Sequence, residues 1–476
     1  MKETAQEFLD RIVEGRDPFV SPLPGHGKTV LVEFSSPDVA KHLAVHHLRS
    51  TAIGHSLVRI FQYLGYRTIG INFLGDWGQS LGQLMAAYRR WTPNLAETED
   101  PLGKLHSLYV RYSLITTSDT QAIAEARECF QSLKNGDDEA RGLWHLIRQT
   151  SLSDFQRIYD SLGVSFDEIS GESEYQSRYK QVLRILEEKW LLDEKGGGVV
   201  VKLEREGLPP CLLKKDDGTV LHPTWDLAAA IDRWDRFRFD RCLYVAESHQ
   251  ALHFEQLFAV LKRAKLGWAE RLEHVEYGQI LLDEKGSRTL DGNRLLMKEV
   301  IQEIAERAGE QLKSQDLKES ERIELSRKIG VGALLFHALQ TPRQEDMSFN
   351  YDEMLDAQGS TGPYVQNIYG HVASLLEEKS ERIGPSADAS LLGEEEKSLL
   401  HLLSRFAQTL EDAARLAEPS LVSRHILQLA EATSAYLKRD LLFEGEPQRA
   451  SARLKLLEGV RNILAKELYL LGLELP

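Results

Sequence analysis

Cysteine is scarce: the 476 residues hold three, Cys129, Cys211 and Cys242. They lie far apart, are odd in number and lack CxxC spacing, which excludes a disulfide framework and a cysteine-based zinc site and leaves reduced structural thiols. Also missing is any apolar run approaching the ~20 residues that cross a bilayer. The start, Met1-Lys-Glu-Thr-Ala-Gln-Glu-Phe-Leu-Asp10, is acidic and amphipathic, without the apolar stretch of a signal peptide, so a cytoplasmic protein with no membrane partner is expected. Positive charge is short as well, with 58 Lys+Arg against 73 Asp+Glu and a formal net charge of −15. That excludes indiscriminate polyanion binding, which draws on clustered cations that release counterions. Internal repeats and low-complexity tracts are absent.

What is present is ordinary for a soluble globular chain: 42% hydrophobic and 28% charged residues, with length for two or three domains. The stretch Val30 to Thr51 organises the rest. A β-branched apolar run reaches Glu33, breaks at Ser35-Ser36-Pro37, and passes into a helical pattern from Ala44 to Leu64. This is the strand-loop-helix opening of a nucleotide-binding sheet, in which a helix N-terminus faces the strand ends.

Residues 1–29 read as a helix (about Thr4 to Glu14) and a Pro/Gly-rich connector. Within the connector, Gly25-His-Gly-Lys-Thr29 lacks the earlier glycine of a phosphate loop, Pro22 standing there instead, and it precedes a strand; it is read as surface connector. A second strand, Tyr66–Leu74, is predicted parallel to the first through a right-handed crossover. From Leu84 to Lys189 the pattern is almost wholly helical, an insertion at about 90–195. Gly196–Gly198 then turns into a two-stranded element, Val199–Leu203 and Cys211–Lys215, followed by the turn Asp216-Asp-Gly218. A helix from Thr224, a strand Arg241–Ala246 and a helix to Lys265 complete the parallel sheet. A last strand pair near Val275–Leu282 precedes the loop Asp283–Asn293. No strand is predicted from Arg294 onward, where helical periodicity runs to the end. The expected fold is therefore α/β: a Rossmann-like parallel domain at 30–293, then an all-α bundle at 294–476.

The wording of these segments resembles one family. Glu33-Phe-Ser-Ser-Pro-Asp38, Ala40-Lys41 and Leu48-Arg-Ser-Thr51 are similar to arginine–tRNA ligases, which are class I aminoacyl-tRNA synthetases, with Ala44-Val45-His46-His47 in the place of their His-x-Gly-His signature. Leu74-Gly-Asp-Trp-Gly78, Ala86-Ala-Tyr-Arg-Arg-Trp91, Leu108-Tyr-Val-Arg-Tyr112, Gly171-Glu-Ser173, Gly359-Ser-Thr-Gly-Pro-Tyr-Val365 and Leu468–Leu475 continue the likeness in matching order. The resemblance implies a class I synthetase-type catalytic domain with a helical insertion and a helical anticodon-binding domain. It also implies ATP with Mg2+, arginine or a guanidino analogue, and tRNA as ligands, and it leaves a protein partner open.

For the amino acid, the resemblance implies Glu33, Asp226 and Gln250, with Asp38 where the family has Asn and His222 where it has Tyr. A guanidinium is a planar five-donor cation, and carboxylates in fixed positions match it best. For the nucleotide it implies Ser36, Ala44, His46 and His47, with Lys41, His47 and Lys285 as the catalytic groups. Ala44 removes one phosphate donor, a change that typically costs ~2.7–4 kcal/mol of transition-state stabilisation. His46 puts an imidazole where the adenine would stack, and the loop Lys285–Asn293 departs from the second family signature. Two functions stay open on these residues: ATP-dependent activation of arginine with transfer to tRNA, or non-catalytic use as an arginine-binding or partner-binding module; activation for a non-tRNA acceptor is a variant of the first. Weakened tRNA binding is expected. Residues 341–476 hold 14 Lys+Arg against 22 Asp+Glu, a net −8, and the 29 residues before Val30 are too few for the family's elbow-binding domain. Arg449, Arg453 and Arg461 on the last helix are then the candidate phosphate contacts, and Lys41, His47 and Arg49 a candidate anion site. No metal-ligand set is predicted.

Overall fold

The computed structural model describes residues 4–14, 23–282, 295–314, 316–379, 388–439 and 446–476. The predicted loop Asp283–Asn293, and Lys285 with it, lies outside the described residues, as does most of the connector after the first helix.

Helix α1 (Ala5–Val13) starts at Thr4, whose hydroxyl accepts from the Glu7 N–H. Strand β1 (Thr29–Glu33) is buried along Val30–Val32. Alternation sends its side chains to opposite faces. Val30 and Val32 join the apolar cluster of helix α2 (His47–Tyr63), whereas Leu31 joins the cluster on the other face. The helix starts three residues later than predicted. Val45 donates to the Leu295 carbonyl and Met297 to that of Leu43, so Ala44 is held in an antiparallel bridge with Leu296 instead of a helical turn. Strand β2 (Arg67–Leu74) pairs parallel with β1 as expected.

The insertion contains α3 (Gln79–Trp91), α4 (Pro101–Ile115), α5 (Thr120–Asn135) and α6 (Asp138–Leu162). Asp100, Asp119 and Asp137 cap the last three, each side chain accepting a backbone N–H that has no partner within its helix. The region is not wholly helical, because β3 (Glu168–Gly171) pairs parallel with β2 and forms an edge of the main sheet. Four residues are too few to show a period in sequence. After α7 (Tyr179–Glu188), strands β4 (Leu192–Lys195), β5 (Gly198–Val201) and β6 (Cys211–Lys214) form a three-stranded antiparallel sheet where two strands were expected. Gly196 and Gly197, at φ 58° and 82°, close its first hairpin.

Helix α8 (His222–Phe237), strand β7 (Arg241–Glu247), helix α9 (Ala251–Arg263) and strand β8 (Leu272–Tyr277) complete the main sheet, whose order is β3-β2-β1-β7-β8. All its pairings are parallel. The chain leaves β1 toward β2, while β7 lies on its other side, so a crevice opens between the C-terminal ends of β1 and β7. The predicted last strand pair divides: β8 belongs to the main sheet, and β9 (Ile280–Leu282) pairs with β10 (Met347–Phe349), a strand inside the part predicted to be helical throughout.

Helices α10 (Met297–Gln311), α11 (Glu319–Gln340), α12 (Tyr351–Met354), α13 (Gly362–Glu378), α14 (Glu394–Leu416), α15 (Ser420–Leu437) and α16 (Pro447–Leu471) make up the remainder. Their core is continuous with that of the sheet, since Leu48 and Phe61 of α2 share one cluster with Leu335 of α11 and Leu464 and Leu468 of α16. Arg49 is not an anion-binding group. It is fully buried and donates to the carbonyls of Gly278 (2.8 Å), Pro342 (3.2 Å) and Glu345 (2.5 Å). Nor do the α16 arginines form an exposed row. Arg453 is buried against Glu396 at 2.7 Å, Arg461 lies 3.5 Å from Glu458, and Arg449 is half-buried. The three cysteines are free and buried, and no described helix is long and apolar enough to cross a membrane.

Arg49→Met removes a donor shared by several buried carbonyls. The expected loss is roughly 2–4 kcal/mol in urea unfolding, with Arg49→Lys recovering only part, because one compact ammonium does not span the same acceptors.

Candidate active site

A cleft of about 680 Å³ lies at the C-terminal edge of the main sheet. Each strand end supplies part of its lining: Glu172 follows β3, Gly75 follows β2, Glu33 ends β1 with Ser35 and Ser36 beyond it, Glu247 ends β7 and Tyr277 ends β8. Of the residues singled out in sequence, Glu33, Ser36, Asp38, Lys41, His46, His47, His222, Asp226 and Gln250 all line this one cleft. Ala44 does not. It is 1% exposed, enclosed by its bridge with Leu296.

The segment between β1 and α2 is held in an unusual shape. Ser35, Ser36 and Ala40 have φ of 69°, 47° and 63°, in the left-handed region that L side chains disfavour. Hydroxyls from elsewhere pin it there. Ser35 N donates to Ser50 Oγ at 3.0 Å, the Ser35 and Tyr159 hydroxyls meet at 2.7 Å, and Ala40 N donates to Ser151 Oγ at 2.9 Å. The Cβ of a residue replacing Gly54 on α2 would come within 2.2 Å of Phe34, so a glycine there is what lets the helix lie so close to the strand end.

Carboxylates form one wall, each with a partner inside the protein. Glu33 shares the parity of Leu31 on β1 and so faces α8, where it meets the fully buried Arg233 at 2.5 Å. Burial opposes the Arg233 charge, yet Glu33, with Tyr244 and Cys242 behind it, holds the guanidinium well above its ordinary value. Asp226 lies 2.8 Å from His253 Nε2, Glu247 lies 2.9 Å from His249 Nδ1, and Asp38 lies 2.8 Å from Lys41 Nζ. Burial disfavours the His253 charge and the bond to Asp226 more than offsets it, so the imidazole is shifted upward. Glu172, buried and pushed upward by that burial, contacts His222 Nδ1; that hydrogen bond raises the His222 imidazole to about 9 against the opposing effect of burial.

The facing rim carries the cationic and aromatic groups. His46 and His47 pack ring on ring, 4.0 Å between centroids, and His47 Nδ1 lies 3.1 Å from the backbone N and O of Ala44. With Lys41 and Ser36, these are the groups an anion would meet. Just behind, the nearly buried His42 ring joins Asp154 (2.9 Å) and Asp100 (3.3 Å), and Lys298 of α10 sits 2.9 Å from the same Asp100 oxygen. Though the three ligand-type side chains lie close together, Lys298 already supplies the cation.

Sequence reasoning missed Arg233, Glu172 and His253 as site groups. The phrase Gly171-Glu-Ser173 contained Glu172, and His253 stands about one helical turn beyond Gln250, the residue that precedes α9; Arg233, seven residues after Asp226 on the same helix face, carried the clearest unused spacing signal.

Both parts of the chain are similar to known proteins. Residues 17–351 match the family described as tRNA synthetases class I (R), catalytic domain, and residues 365–476 match the DALR anticodon binding domain. Arginine–tRNA ligase 1 of Bacillus thuringiensis is 38% identical over 452 residues, 95% of this chain and 80% of the relative. Arginine–tRNA ligase of Exiguobacterium sibiricum is 37% identical over 99% of this chain and 84% of its own length. In fold, the Thermus thermophilus arginyl-tRNA synthetase superposes with a TM-score of 0.85 at 22% identity, covering 99% of this chain and 86% of that one.

Arg233→Met strands the Glu33 carboxylate in a buried site, and the expected cost is about 3–5 kcal/mol. Adding Glu33→Gln in the same protein should restore most of that stability. A chemical-denaturation cycle over the two single variants and the double variant measures the coupling.

Proposed function

The chain belongs to the arginine–tRNA ligases of class I, and from that premise we propose that its cleft recognises arginine, or a guanidino analogue, and activates it with ATP for transfer to tRNA. The observation that carries this reading is the convergence of Glu33, Asp38, Glu172 and Asp226 with Gln250 in one cleft at the parallel-strand ends. A planar cation with five donors needs several fixed acceptors, and an α-ammonium needs one more. On this reading Asp226 and Glu172 take the guanidinium, while Glu33, Asp38 and Gln250 address the ammonium end. Activation then joins an oxygen of the arginine carboxylate to the α-phosphorus of ATP as pyrophosphate leaves; in transfer, a ribose hydroxyl of tRNA attacks the carbonyl carbon and AMP departs. Lys41, His47 and Ser36 are the groups that would meet the phosphates, with Mg2+ accompanying the nucleotide, and Lys285 is proposed as a further catalytic group.

A second reading has its own observation. Ala44 presents no donor to the cleft, His47 Nδ1 faces the Ala44 backbone, and the His46 ring borders the cleft at the rim proposed for the nucleotide. These favour a paralogue that keeps the amino-acid wall and serves as an arginine-binding or partner-binding module. For tRNA, the net −8 of residues 341–476 and the inward-facing Arg453 favour weak, salt-sensitive binding.

Arginine-dependent exchange of pyrophosphate into ATP, run with and without tRNA, separates the readings. Exchange supports the ligase; arginine binding without exchange supports the module. Calorimetry should show arginine bound without ATP in either case, and Asp226→Asn is expected to weaken it by ~2–5 kcal/mol. His46→Gly should tighten ATP, and unchanged nucleotide affinity would remove His46 from the nucleotide site.

A further inference from the structure

Glu172 differs from the other acids of the wall in what holds it. Glu33 is locked by a guanidinium that is itself fully buried, and Asp226 by the half-buried His253. Glu172 is 6% exposed, and among the described residues its carboxylate has one hydrogen-bond partner, the His222 imidazole, whose side chain is 72% exposed. A buried acid is thus covered from the cleft side by a side chain with open space around it. His222 is the first residue of α8, and Asp226 follows one turn later on the same face.

We propose that His222 is a specificity-determining residue: its imidazolium covers Glu172, and a cationic ligand side chain reaches that carboxylate by displacing the imidazole, which then gives its proton to solvent. The inference rests on the arginine reading given above and extends it, making recognition of the guanidinium a proton-coupled exchange of one cation for another. The charge balance is simple. The Nδ1–H···carboxylate contact is broken, a guanidinium–carboxylate contact is formed, and the displaced imidazole, no longer beside an acid, returns toward the ordinary histidine range near 6.5. At neutral pH and above it therefore loses its proton.

The other charged groups facing His222 leave this exchange to Glu172. Asp226 on its own helix is engaged by His253 of α9, and Asp38 on the loop after β1 is engaged by Lys41. On the far side, Arg127, Lys134, Lys215 and Asp217 border an adjoining cavity that Glu172 and His222 also line. The raised imidazole, about 9, agrees with an acid that holds its proton firmly until a ligand competes.

The test is calorimetric titration of the full chain with arginine from pH 6.5 to 8.5, in two buffers of different ionisation heat, for the wild type, His222→Gln and His222→Phe. The wild-type Kd should fall about tenfold per pH unit, with close to one proton released per arginine bound. Both variants should bind about 10- to 100-fold tighter at pH 7, with little pH dependence. Citrulline, the neutral isostere, should show no such slope in any of the three proteins. A flat wild-type profile, or the same slope in the variants, overturns the proposal while leaving arginine binding in place. No arginine binding by any of the three at any pH removes the arginine reading and this inference with it.

Discussion

Carboxylates gathered at the edge of a buried parallel sheet must be neutralised from within, and the arrangement of this cleft follows from that constraint. Taking an acid out of water costs several kcal/mol unless a partner is built in. The cations come mainly from α8 and α9. His222, Asp226 and Arg233 recur at spacings of four and seven on α8, so one face of one helix meets Glu172, His253 and Glu33 in turn. The register of α8 consequently sets the whole wall. That register is tied to the small antiparallel sheet, where Thr224 Oγ1 donates to the Leu213 carbonyl at 2.8 Å and Leu221 N donates to the same carbonyl at 3.0 Å.

The other rim depends on a different part of the chain. Helix α2 is clamped by Arg49 at its start, by Ser56 Oγ donating to the Leu470 carbonyl at 2.9 Å, and by Arg59 donating to the Tyr469 carbonyl at 2.6 Å. The Ser56 and Arg59 contacts reach the end of α16, and the bridge at Ala44 reaches the entry to α10. The helical half therefore positions His46 and His47 as well as forming its own bundle.

Much of this was legible in sequence where a residue's neighbours along the chain decide its role. The apolar run Val30–Val32 announced a buried strand and the Ser-Ser-Pro break a loop turning into a helix, while the family resemblance pointed to Glu33 at the strand end; the structure brings all three to the same edge. What escaped was fixed by partners far away. Arg49 reads as a surface cation beside two histidines, yet its acceptors lie some 230 to 300 residues on. Arg453 looked like part of an exposed row until Glu396 claimed it. Strands β3 and β10 are four and three residues long, and their pairing, not their pattern, makes them strands. The helix start moved from Ala44 to His47 for the same reason, a bridge to a segment about 250 residues away.

The two faces of β1 also belong to different cores. Alternation along β1 places Val30 and Val32 in the cluster shared with α2 and the helical half, and Leu31 in the cluster shared with α8 and α9. Glu33 follows Leu31 to the α8 side, so the acids, their cations and Tyr244 stand on one packing unit. Leu43, Val45 and Leu48, which frame Ala44 and His46, stand on the other. An alanine at 44 fits the tight bridge with Leu296, and a histidine at 46 adds its ring at the cleft surface beside His47; neither change touches a residue that holds Glu33, Glu172 or Asp226 in place. The packing thus keeps changes at positions 44 and 46 apart from the residues that hold these acids. The reverse would not hold, because a change at Arg233 disturbs Glu33 at the very strand end from which the loop to α2 departs.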